Sequence, residues 1–159
     1  MENNKYVKLH SLLRMFAALL AIIAFVSMFF AKQIVHADNS KLFFSWTQVF
    51  FGDAPWKATV FGFIGYLFII IGGLAGLAFV FIDEMIGKDL TKTLSYVAGG
   101  LMLLGALFIF LTGVFFRAFN DGFGVKNYHL AAGPIVFGIL AAVAGACNVA
   151  APILEDKGL

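Results

Sequence analysis

The amino-acid sequence predicts an all-α membrane protein, one bundle of four transmembrane helices over residues 1–159 with short loops and an aromatic first loop. Hydrophobic residues make up 62% of the chain and charged residues only 13%, whereas soluble domains are about 45–50% apolar and about 25% charged. Four long apolar runs contain no charged residue. None of these runs alternates polar and apolar positions, as the strands of a membrane barrel would.

The first run, Met15 to Ala31, is short for a bilayer that needs about 20 apolar residues. We predict a helix over 11–31, with Arg14 snorkelling to the lipid headgroups. The alternative is a signal peptide cleaved at Val35-His36-Ala37, which would leave three helices. The apolar run exceeds the usual 7–15 or so residues of a signal peptide, and this favours a retained helix.

The other three runs predict transmembrane helices over 58–82, 93–116 and 130–154. Each is long enough to cross a hydrocarbon core of about 30 Å. Lipid offers no partners for backbone hydrogen bonds, so a crossing segment must satisfy its own, as a helix does. The connections between the runs are too short to fold as further domains.

The first loop contains an aromatic segment, Lys41 to Gly52. We predict an interfacial helix capped by Ser40 and ended by Gly52. Its shared face would carry Phe43, Trp46, Val49 and Phe50. A strand with Leu42, Phe44 and Trp46 on one face is the alternative. The segment would act either as a lid over the bundle or as a contact for another membrane protein.

Small residues recur at helical spacing and predict close helix packing. Gly65, Gly72 and Gly76 lie in the second helix. In the fourth helix the ridge is formed by Gly138, Ala142, Ala146 and Ala150. We predict that these residues pack within the bundle; contact with a second copy or a partner is the alternative.

The distribution of basic residues predicts the orientation. Lys5, Lys8 and Arg14 flank the first helix. We therefore predict a multi-pass protein of the cell (inner) membrane with both termini in the cytoplasm.

The predicted helix centres contain no ionisable carboxylate, Lys, Arg or His, which disfavours an ion-coupled transporter. Asn148 is expected to bond across to another helix. Cys147, the single cysteine, has no neighbouring base, and His36, Asp38 and His129 do not make a metal site by their spacing. No catalytic residue, cofactor or metal is predicted. The basic residues are spread along the chain, so no nucleic-acid partner is predicted either.

Thr47-Gln-Val-Phe-Phe-Gly52, set between two apolar helices, resembles a stretch of uncharacterised small four-helix membrane proteins of Gram-positive bacteria. The resemblance implies the architecture and no activity. The sequence thus predicts a non-enzymatic accessory or scaffold protein that acts through helix packing and its outer loop. Its partners would be the lipid bilayer and another membrane protein or itself. A channel-forming homo-oligomer, or a small subunit of a transporter, is the alternative.

Overall fold

The computed structural model describes residues 8–158, apart from the side chains of Asp83 and Glu84. Four long helices dominate it: α1 (Leu9–Ser27), α3 (Val60–Ile86), α4 (Lys88–Phe119) and α5 (Ala132–Asp156). The shorter elements are β1 (Ile34–His36), β2 (Phe43–Phe44), α2 (Trp46–Phe51), a 3₁₀ turn (Val125–Asn127) and β3 (Tyr128–Leu130). The prediction of four apolar helices that pack together is confirmed, and each is long and apolar enough to cross a membrane.

The four long helices form a closed ring. Helix α3 packs between α1 and α4, and α5 closes the ring between α4 and α1. Helices α1 and α4 therefore lie across the diagonal. The centre of the bundle is filled by apolar side chains that solvent does not reach, among them Ala21, Ile69, Met102, Ile109 and Ala141.

The junction between α3 and α4 is much tighter than predicted. The sequence suggested a loop from 83 to 92, but α3 continues to Ile86 and α4 starts at Lys88. Gly87 makes the turn alone with φ +83°, a conformation that glycine adopts without a Cβ penalty. Both the backbone N–H and the hydroxyl of Thr91 donate to its carbonyl at 3.1 Å. We call this end of the molecule the junction end.

The first helix differs from its predicted bounds of 11–31. It begins at Leu9, ends at Ser27, and gives way to tight turns before Ala31. The prediction that Arg14 snorkels to the headgroups is wrong, since its side chain is completely buried. The sequence pattern of α1 could not reveal this, because the partner that keeps Arg14 inside lies 141 residues away, on α5.

The opposite end carries a small antiparallel sheet in the order β2-β1-β3, which an all-α prediction missed. Ile34 pairs with both Phe44 and Leu130, so the sheet joins the first and third connections. Strands of two or three residues are too short for alternation to be read from sequence. We call the sheet together with α2 the cap, and this end of the molecule the cap end.

Candidate functional site

The aromatic segment of the first loop is a strand followed by a helix. It is extended at Phe43–Phe44 and helical from Trp46 to Phe51. The N-cap residue of helix α2 is Ser45 rather than the predicted Ser40. The backbone N–H of Ser45 donates to Gln48 Oε1 at 3.0 Å. This is one half of a capping box, which a Ser-x-x-Gln pattern favours. Gly52 ends the helix as predicted, with φ +81°.

The predicted contact face of this segment needs correction. Val49 and Phe50 are completely buried, so neither can touch a partner. Helix α2 turns them onto α3, where the Phe50 ring lies 6.1 Å from the ring of Tyr66. Phe43 is 44% exposed on β2, with the Lys32 ammonium 4.4 Å from its ring centre. Trp46 is half-buried.

An aromatic band runs across one side of the cap. Its members are Phe29, Trp46, Phe51 and Phe63, with ring centres 5.0, 6.0 and 5.3 Å apart along the series. The band starts just beyond α1, crosses α2 and ends in the first turn of α3. Edge-on and tilted ring pairs of this kind contribute about 0.5–1.5 kcal/mol each beyond their burial. Phe51, which the sequence prediction did not include, is 57% exposed and is the most open ring of the band.

Two buried amides fasten the connecting segments of the cap end to the helices. Asn120, at the end of α4, accepts the Lys57 N–H at 2.6 Å and donates to the Lys57 carbonyl at 3.2 Å. Gln33 donates to the Met28 carbonyl at 3.2 Å and closes the end of α1. Its backbone carbonyl accepts the Ala131 N–H at 2.9 Å, just before α5. The cap end is therefore held together by contacts with three of the long helices.

The junction end contains a charged pair inside the bundle. Arg14 of α1 donates from Nη2 to Oε2 of Glu155 on α5 at 3.2 Å. The Arg14 side chain is fully inaccessible, and that of Glu155 is 15% exposed. Among the residues that the structure describes, Nε and Nη1 of Arg14 have no hydrogen-bond partner. Sequence reasoning missed this pair, because both residues lie just outside the apolar runs.

Two further buried polar groups lie in the same half of the bundle. The Ser95 hydroxyl and Asn148 Oδ1 find no partner within the described part of the chain. Asn148 does bond across, as expected, since its Nδ2 donates to the Gly72 carbonyl at 3.4 Å and to Met102 Sδ at 3.2 Å. Pro152 lies four residues on and has no N–H, so it leaves the Asn148 carbonyl without its usual helical donor.

A cleft of about 220 Å³ opens at the surface of the junction end. Lys92 forms an ion pair with Asp156 across it. The cleft is lined by Lys88, Asp89, Lys92, Pro152, Glu155 and Asp156. Glu155 therefore faces this cleft and also bonds Arg14 behind it.

The small residues of α3 lie at contacts between helices. A Cβ on Gly65 would come 2.7 Å from the Gly105 carbonyl oxygen of α4. One on Gly72 would meet the Ala98 carbonyl oxygen at 2.6 Å, and one on Gly76 would meet Asn148 Oδ1 at 2.5 Å. The chain has no room for side chains at these positions. The helix backbones approach closely at Gly65 and Gly72, and Gly76 makes room for the side chain of Asn148.

The predicted ridge of α5 does not lie on one contact line. Gly138 is buried against Phe110, but Ala142 and Ala150 are half-buried and Ala146 is exposed. Residues four apart advance by about 40° beyond a full turn, so a strict four-residue spacing drifts about 120° around the helix in three steps. Besides Gly138, the small residues that face inward are Ala141, Ala144, Gly145 and Ala151.

Within residues 8–158, and leaving aside the side chains of Asp83 and Glu84, the structure brings together no group of three or more His, Cys, Asp or Glu that could hold a metal. The His36 ring packs against Tyr128 at 4.9 Å, and His129 pairs with Val35. Comparisons with protein families, characterised proteins and solved structures found no match for this chain.

Proposed function

We propose that this chain is a non-enzymatic accessory or scaffold protein of the cell membrane, with both termini in the cytoplasm. It acts by binding another membrane protein along the side of its cap. The observation that carries the proposal is the aromatic band, together with the exposed Phe43, three residues before Trp46 in the chain. Trp46 and Phe51 lie on α2, between Phe29 and Phe63. The cap end is fastened to α1, α4 and α5, so a partner meets a preformed surface.

A transmembrane segment is the partner that fits this surface. The band continues into apolar residues on the outward side of α1, among them Leu19, Ile23 and Val26. A partner that covers both regions must itself lie in the bilayer. Aromatic side chains are the usual anchors at the level of the headgroups, and a fixed surface loses less freedom on binding than a mobile loop.

A transporter subunit is the second candidate, and Arg14 is the observation that favours it. An ionisable residue inside a membrane-spanning bundle is by default a functional hypothesis, because burying it is expensive. Its neighbours towards the bundle centre are apolar, however, with Ala17, Ala18 and Ala21 following on the same helix. Arg14 therefore fits a binding site at one end better than a path through the bundle.

Photo-crosslinking in cells tests the proposed partner surface. A photoreactive residue replaces Phe51 or, separately, Phe43, and the matched control replaces Phe123, an exposed ring of the third loop. We expect both cap positions to capture one and the same integral membrane protein, identified by mass spectrometry, and Phe123 to capture none. F51S should reduce capture from position 43.

Two outcomes would contradict the proposal. Adducts with lipid alone at positions 43 and 51 would mean that the rings are interfacial anchors and nothing more. Adducts of twice the chain mass would replace the foreign partner by a second copy and favour the homo-oligomer.

A further inference from the structure

Among the side chains that the structure describes, Glu155 is the one carboxylate paired with Arg14. Charge-assisted bonds between guanidinium and carboxylate groups are commonly bidentate, at about 2.7–2.9 Å. Arg14 meets Glu155 through one nitrogen, at 3.2 Å. The pair is therefore loose for a charge that solvent does not reach, and Arg14 can bind a second anionic group.

The donors for such a group are already in place. Nε and Nη1 of Arg14 are buried, with no partner among the residues described. Ser95 of α4 is a further buried hydroxyl with no partner among the described residues. A buried donor without a hydrogen-bond partner lowers the stability of the fold, and the cost is larger when the donor belongs to a charged group.

The cleft at the junction end gives access to these donors. Glu155 separates Arg14 from the cleft, so a side-chain rotation of Glu155 connects the two. Lys88 and the first turn of α4 add positive charge at the mouth. Asp89 opposes an anion there, while Asp156 is held by Lys92. A cleft of about 220 Å³ admits a phosphate-sized group, since a water molecule takes about 30 Å³.

We propose that the junction end is a binding site for an anionic oxygen group, phosphate or carboxylate, that docks on the free donors of Arg14 and competes there with Glu155. The group is either the head of an anionic lipid or a free anion. This site is separate from the aromatic band and does not depend on the proposed function.

The test uses the whole protein in nanodiscs. In phosphatidylcholine, the rise in unfolding temperature is measured against inorganic phosphate and against acetate. In a second arm, phosphatidylglycerol is mixed in, and native mass spectrometry counts the lipids retained. Saturation by phosphate or acetate in the first arm identifies a free anion, and retention of phosphatidylglycerol in the second identifies a lipid head.

Two variants give opposite predictions. R14Q should weaken the response about tenfold or more, as expected for the loss of charge-assisted bonds. E155Q should strengthen it, because a competing carboxylate is removed while Arg14 keeps its charge. A purely structural ion pair predicts instead that both variants lose stability and that neither changes the anion response.

K41Q is the matched control, since Lys41 is exposed near the cap. It should leave the response unchanged. Should R14Q fail to fold, E155Q still decides the question. The proposal would be overturned if the parent protein showed neither a thermal shift with phosphate or acetate nor retention of phosphatidylglycerol. It would also be overturned if the parent and E155Q responded equally.

Discussion

At the scale of single residues, two glycines set the distance between α3 and α4. A Cβ on Gly105 would lie 2.5 Å from the Gly65 carbonyl oxygen, and the reverse contact is 2.7 Å. Both neighbours are backbone atoms, which cannot rotate away as a side chain can. Another glycine of α4, Gly100, has nothing within 4 Å of the equivalent position.

Replacing Gly105 with Ala should therefore force the two helices apart. Overpacking of this kind costs about 1–3 kcal/mol, so thermal unfolding in detergent should occur at a lower temperature. The control is G100A, where the added methyl meets open space and the stability should be unchanged or slightly higher. Equal unfolding temperatures for the two variants would mean that the glycine contact does not limit the spacing.

At the scale of elements, α5 shows which face of a helix its neighbours select. Ala144 is completely buried, while Ala146, two residues further on, is exposed. We expect A144L to lower the unfolding temperature in detergent and A146L to leave it nearly unchanged, since the second side chain points away from the bundle. If A146L proves as damaging as A144L, α5 has a neighbour on its outward side, as a homo-oligomer would supply.

The long helices could be predicted because a segment that crosses lipid must satisfy its own backbone hydrogen bonds. The apolar length that this requires can be read from one continuous stretch of sequence. Contacts between distant residues were not visible. From the sequence alone, Arg14 is a charge that flanks the first helix, and only the structure shows its bond to Glu155. In the same way, Asn120 is a turn residue by its sequence, and the structure shows its bonds to Lys57. The bounds of α2 were half predicted: its end at Gly52 follows from glycine chemistry, but its start depends on the pairing of β2 with β1.

At the scale of the whole molecule, the basic residues predict which end of the bundle lies in the cytoplasm. Both ends carry five basic residues among those described: Lys8, Arg14, Lys88, Lys92 and Lys157 at the junction end, and Lys32, Lys41, Lys57, Arg117 and Lys126 at the cap end. The orientation therefore rests on the basic flank of the first helix, which usually decides the topology. A reporter fused after Leu159 should therefore be active in the cytoplasm, and one inserted at Gly124 should be active outside. The reverse pattern would invert the bundle and place the aromatic band on the cytoplasmic side.

The bundle as a whole should not conduct ions. Asn148 is the polar side chain that reaches Met102, and beyond it the bundle is filled by buried Ile69, Ala106 and Ile109. Water there would lose its hydrogen bonds, so a continuous file is disfavoured. We expect the purified protein to produce no current steps in planar bilayers under conditions where a known pore former does. Reproducible, ion-selective steps whose size changes with Met102→Ser would overturn the scaffold proposal in favour of a pore through the bundle. Steps unaffected by that substitution would place the path between copies of the chain.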